Sequence, residues 1–135
     1  MQNEQPTSSI TSSLSLEGQE FDPEALSQIT GRQPTKVWHQ KVDALKGDPK
    51  FAQIGWLYRL TKRPHWSIDD AVREILDLFE DRREQILSFV KQHNCSLHLS
   101  LRLHGDSTVI IYKIERETLE RIANFRCSMS FSVDV

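Results

Sequence analysis

Residues 96–104 read Ser96-Leu97-His98-Leu99-Ser100-Leu101-Arg102-Leu103-His104. Leucine alternates with serine, histidine or arginine without a break. In a strand, successive side chains point to opposite sides, so this period makes one apolar face and one polar face. On a helix the same leucines would be scattered round the axis. The stretch is therefore a strand with one buried side. Ile10, Leu14 and Leu16 alternate with Thr11, Ser13 and Ser15 in the same way, and Cys127, Met129, Phe131 and Val133 alternate with Ser128, Ser130, Ser132 and Asp134. Three strands of this kind predict a largely antiparallel sheet covered on one side only.

Working outward, Gly105-Asp106 predicts a turn into Ser107–Lys113 and hence a hairpin with 96–104. Residues 35–38 read as a short extended piece ending at Trp38, and residues 39–52, with Gly47-Asp48-Pro49, read as a long loop. Ile54, Trp56, Tyr58 and Leu60 mark another strand. Asp22 caps a short helix with Pro23 at its first position and Gly31 as its stop. Ser67 opens the main helix, whose stripe of Ile68, Val72, Ile75, Phe79, Ile86 and Val90 runs to Asn94. Arg82 and Arg83 interrupt that stripe, so either their stems cover the core or the helix bends there. Residues 115–124 form a last helix with Leu119 and Ile122 inward.

The expected architecture is α+β: a mostly antiparallel sheet of about five to six strands with three helices on one face. Residues 1–9 read as a flexible tail and 10–135 as a single domain. Phe21–Ile29 echoes Ile114–Ile122 at a constant offset of 93, which suggests a repeated strand–helix unit.

At 135 residues and 15.7 kDa the chain buries about two-thirds of its surface without a staple. Two cysteines are too few for a disulfide framework or a thiolate zinc site. The longest apolar stretch, around Val109–Tyr112, is far short of a bilayer span, and residues 1–31 hold no Lys or Arg of a targeting signal. A cytoplasmic protein with no membrane association is expected. The net charge of −2 is not that of a nucleic-acid-coating protein, yet it is uneven: residues 1–31 carry five acids and no base, residues 32–63 eight bases and two acids. That basic block reads as solvated surface or as a patch that steers an acidic partner.

Chemistry-bearing motifs are sparse. His98, Ser100, Arg102 and His104 share a strand face, but no Gly-x-Ser-x-Gly elbow or third orienting group accompanies them, so solvated sheet surface is the simpler reading. The five histidines lack metal spacing. Asp69-Asp70 and Glu80-Asp81 read as dipole complement and solvated surface. Trp56 is simplest as core; Trp38, beside the basic block, either packs inward or anchors a partner. Trp66 precedes the Ser67 cap and reads as its staple.

One succession of residues resembles a known family. Phe21-Asp22-Pro23-Glu24 with Leu26 and Ile29 leads to Gly31-x-x-Pro34-Thr35-x-x-Trp38, then to a Gly47-Asp48 loop, Trp56 in a strand, a long amphipathic helix, and a closing helix and alternating strand. This resembles the bacterial family catalogued as domain of unknown function 4279, from about Ser12 to Val133. The family's basic–Gly–acidic step falls late here, at Lys46-Gly47-Asp48. The resemblance implies a compact α+β domain and lends no activity or catalytic residues. Small stand-alone bacterial proteins of such families are often antidotes to toxins. The expected function is thus a non-catalytic protein-binding domain: an immunity protein that neutralises a cognate toxin through Lys36, Trp38, Lys41, Lys46, Lys50 and Arg59. It needs no cofactor and no metal, and acts as a monomer or as a homodimer through an edge strand. A nucleic-acid-binding module using the 32–63 segment and a hydrolase on the polar sheet face are the alternatives.

Overall fold

The computed structural model describes residues 9–41, 52–60, 67–105 and 110–134. The N-terminal tail, most of the 39–52 loop, Trp66 and the first residues of the expected hairpin return lie outside them.

Five strands form one sheet: β1 (Ser9–Gly18), β2 (Lys36–Lys41), β3 (Ala52–Arg59), β4 (Ser96–His104) and β5 (Ser128–Asp134). Their order is β2-β3-β1-β4-β5. Three of the four pairings are antiparallel, and β4–β5 is parallel. The α+β architecture with a mostly antiparallel sheet is as the alternation predicts.

The helices are α1 (Pro23–Thr30), α2 (Ile68–Phe79), α3 (Arg83–His93) and α4 (Arg116–Phe125). Local chemistry sets their ends. The Asp22 carboxylate accepts from the Glu24 N–H, the Ser67 hydroxyl accepts from the Asp70 N–H, and Gly31 (φ 72°) and Asn94 (φ 54°) turn left-handed at the C-termini. The long helix bends at a 3-10 turn, Glu80–Arg82, which separates α2 from α3. Of the alternatives posed by the arginine pair the interruption is the one seen, and Arg82 reaches back to donate to the Ile29 carbonyl at 2.7 Å. Arg32 returns the favour by donating to the Leu78 carbonyl at 3.3 Å while its guanidinium lies over Tyr58 and Phe79. Two helix C-termini with orphan carbonyls thus receive arginine donors from each other's neighbourhood.

The core lies between the helices and one sheet face. Leu14, Leu16, Trp56, Leu97, Leu99, Leu101 and Leu103 supply its floor, and Leu26, Val72, Ile75, Phe79, Ile86 and Phe125 its roof. Phe79 meets both Trp56 and Tyr58 edge-on.

Two expectations are corrected. Residues 110–113 do not return along β4. Both sides of β4 are taken by β1 and β5, Ile110 enters the core, and Ile111 pairs with Ser67 at the start of α2. Leu119 does not face inward: it is 53 % exposed, and Thr118, Ile122 and Phe125 make the inner stripe of α4.

The offset of 93 falls on the same kind of unit twice. It maps α1–β2 onto α4–β5, and each helix leads from one strand (β1 or β4) to a parallel one. In the first unit β3 lies between the two parallel strands; in the second they are neighbours.

Candidate functional site

The second sheet face carries no helix among the described residues, and the strand registers lay its side chains out in rows. One row is Trp38, Gly55, Glu17 and Ser96; the next is Lys36, Leu57, Ser15, His98 and Ser128; the third is Arg59, Ser13, Ser100 and Ser130. The face therefore has two ends. The β2–β3 end holds an indole, a leucine and two cations. The β4–β5 end holds hydroxyls, histidines and the exposed Arg102.

Trp38 sits on this open face and not in the core, because Val37 and not Trp38 falls in the row of Trp56. Its ring lies over Gly55: a β-carbon there would come within 1.9 Å of the indole. The seat exists only because residue 55 has no side chain. Lys36 places its ammonium 6.0 Å from the ring centroid. Arg59 is exposed and starts the third row, its backbone N–H fixed by the Thr35 hydroxyl at 2.9 Å. The basic block is not one patch. Arg32 lies on the helix side, and Lys41 ends β2 opposite Ala52, in the alternate set from Trp38. Lys46 and Lys50 lie outside the described residues. Of the expected contact residues, Lys36, Trp38 and Arg59 share the open face.

At the other end, His98 is held by two hydroxyls across the strand gap: Nδ1 is 2.5 Å from Ser128 Oγ and Nε2 is 2.9 Å from Ser130 Oγ. Both hydroxyls come from the parallel neighbour β5. His104 Nε2 meets the Thr11 hydroxyl at 3.1 Å. Both His98 nitrogens are thus engaged by serines, where a nucleophile–base pair needs one of them oriented by a carboxylate. The two thiols are poor nucleophiles: burial pushes Cys95 up and Cys127 up to about 11. Among the described residues no cluster of His, Cys, Asp and Glu is placed to hold a metal ion, and no helix is long and apolar enough to cross a membrane.

One polar centre escaped sequence reasoning. Asp69 is buried, not solvated, at the junction of α2 and α4. It accepts from the Glu115 N–H at 2.8 Å and from Arg73 Nε at 2.9 Å. The Thr118 hydroxyl faces the same carboxyl without the geometry of a full hydrogen bond. Burial pushes the acid upward, and Thr118, the Glu115 amide and Arg73 together outweigh it, leaving the group below its ordinary value. Arg121 does similar work outside, bridging Asp77 at 2.8 Å and Glu80 at 3.0 Å. These are joints between helices and take no part in the open face.

The molecule is thus an α+β domain whose second sheet face, free of helices among the described residues, ends in an aromatic–cationic cluster. The chain belongs to the family described as Domain of unknown function (DUF4279), which matches residues 8–135. Comparison with curated proteins and with solved structures gives no match.

Proposed function

We propose that this chain is a non-catalytic protein-binding domain that docks an acidic partner on the β2–β3 end of its open face. In its most concrete form it is an immunity protein and the partner is a cognate toxin. The observation that carries the reading is Trp38 laid over Gly55 with Lys36 above the ring and Arg59 on the same face. Tryptophan and arginine dominate binding energy in protein interfaces, and a ring already seated on the backbone loses little freedom on docking. The two cations steer an acidic partner into contact, and the indole slows its release. A single-strand nucleic-acid platform would instead offer successive aromatic rings along the face; here, among the described residues, the row beside the indole is Lys36, Leu57, Ser15 and His98.

Co-expression with neighbouring open reading frames tests the toxin. One of them must be toxic alone and harmless beside this chain; if none is, the antidote reading fails. The surface is tested on the partner so found. Trp38→Ala should weaken binding by at least about 2 kcal/mol, roughly thirtyfold in Kd. Lys36→Glu with Arg59→Glu should slow association and flatten its salt dependence. Unchanged binding in both variants places the contact elsewhere. Binding of RNA or DNA that falls steeply with salt and vanishes in Trp38→Ala would transfer the surface to a nucleic-acid function.

A further inference from the structure

The two rims of the sheet differ. β2 bears Lys36, His39 and Lys41 along six residues, and lysine on a rim strand discourages pairing with another sheet. β5, Ser128–Asp134, bears no Lys, Arg or Pro, and among the described residues it pairs only with β4. On its helix-side face Phe131 is 49 % exposed and Val133 52 %, although their register partners Leu101 and Leu103 are each 1 % exposed. The helix layer stops short of this strand. Apolar side chains on an unguarded edge call for a neighbour.

The order of residues in β5 suits a second β5. In an antiparallel pair centred on Phe131, that ring faces the second copy's Phe131. Met129 then faces the second copy's Val133, Ser130 its Ser132, and Ser128 its Asp134. Every apolar residue meets an apolar one, Ser130 meets the hydroxyl of Ser132, and no like charges are opposed. All seven residues of the strand find partners.

We propose that β5 is the seam of a homodimer in which two chains join edge to edge, through antiparallel pairing about Phe131, into one ten-stranded sheet. The twofold axis is normal to the sheet, so both helix layers lie on one side and both open faces on the other. The Trp38 ends fall at the far rims of the joined sheet. Partner docking and dimerisation therefore use separate surfaces, and either proposal stands or falls without the other. A seam of one strand pair is small beside a standard interface of about 1,600 Å², so the dimer comes apart on dilution.

Sedimentation velocity of the full chain over about two decades of concentration reads the proposal directly. The mass should rise from one chain to two in the wild type and stay at one in Phe131→Lys and Val133→Lys, with far-UV circular dichroism showing that the variants remain folded. Register is read by cysteine pairing. Facing residues of an antiparallel pair have Cα atoms about 4.5–5.5 Å apart, inside disulfide reach. Phe131→Cys should give a covalent dimer on mild oxidation that the wild type, with Cys95 and Cys127, does not. Ser130→Cys, which faces the second copy's Ser132, should give none. A wild type that stays monomeric throughout, a dimer that survives Phe131→Lys, or cross-linking at residue 130 and not at 131 would each overturn the proposal. Should the lysine variants unfold, the cysteine pair still decides it.

Discussion

Asp69 stands in the first turn of α2, where an acid complements the helix dipole, yet its side chain is 8 % exposed. Its carboxylate serves as the N-terminal cap that α4 lacks on its own account, since Glu115 makes no side-chain cap bond and donates its N–H to Asp69. Asp69→Ala leaves that N–H without an acceptor and should cost about 1–3 kcal/mol, read as a lower urea midpoint. Asp69→Asn keeps an acceptor oxygen and should recover part of the loss. The pH dependence has a definite sign. The folded group lies below the ordinary carboxylate value, so near that value the unfolded chain binds more protons. The stabilisation is complete above the unfolded value and is lost as pH falls through the folded one. Asp69→Asn should therefore flatten the acid limb of the stability profile below about pH 4. Nothing in the dipeptide Asp69-Asp70 separates the buried acid from the exposed one. The distinction comes from Glu115 and Thr118, more than forty residues along the chain.

At the scale of elements, α1 and α4 show how far a sequence echo reaches. Leu26 and Leu119 occupy equivalent places in the offset of 93, but Leu26 is 1 % exposed and Leu119 53 %. The inward residues of α1 are Leu26, Ser27 and Thr30, whereas those of α4 are Thr118, Ile122 and Phe125. The second helix is turned by about one residue, roughly 100°, which brings Thr118 against Asp69. Leu119→Ala should accordingly change stability by no more than about 0.5 kcal/mol, while Ile122→Ala should cost about 2–5 kcal/mol. Equal losses in thermal melts of the two variants would contradict this orientation. Caps and breaks were legible because they depend on a residue and its near neighbours: Asp22, Gly31, Ser67 and Asn94 all act where the sequence places them. The rotation of α4 was not, because an amphipathic stripe with both Leu119 and Ile122 is compatible with two inward faces.

At the scale of the whole molecule, β1 is the hub. The first strand of the sequence pairs with β3 on one side and β4 on the other, in registers that run from Ser13↔Arg59 and Ser9↔His104. None of this pairing is local, so the sheet closes only when distant segments meet. Amides of β1 and β4 should exchange with the protection of global unfolding, and those of the β2 rim should exchange faster through local opening. Hydrogen exchange read by NMR checks the order; a β1 no better protected than β2 would contradict it.

The sequence by itself determined the strands about 10–16, 54–60, 96–104 and 127–134, the helical stretches that follow Asp22, Ser67 and Glu115, and which side of those strands is apolar. Those properties follow from the two-residue and 3.6-residue periods and from caps, all set within a few residues. Only the tertiary structure decided that β5, and not residues 110–113, lies beside β4, that Asp69 is buried, and that Trp38 rests on Gly55 facing outward. Each of these depends on which distant segment arrives as neighbour. A pattern of alternating side chains states what a strand's faces want and leaves open which strand will satisfy them.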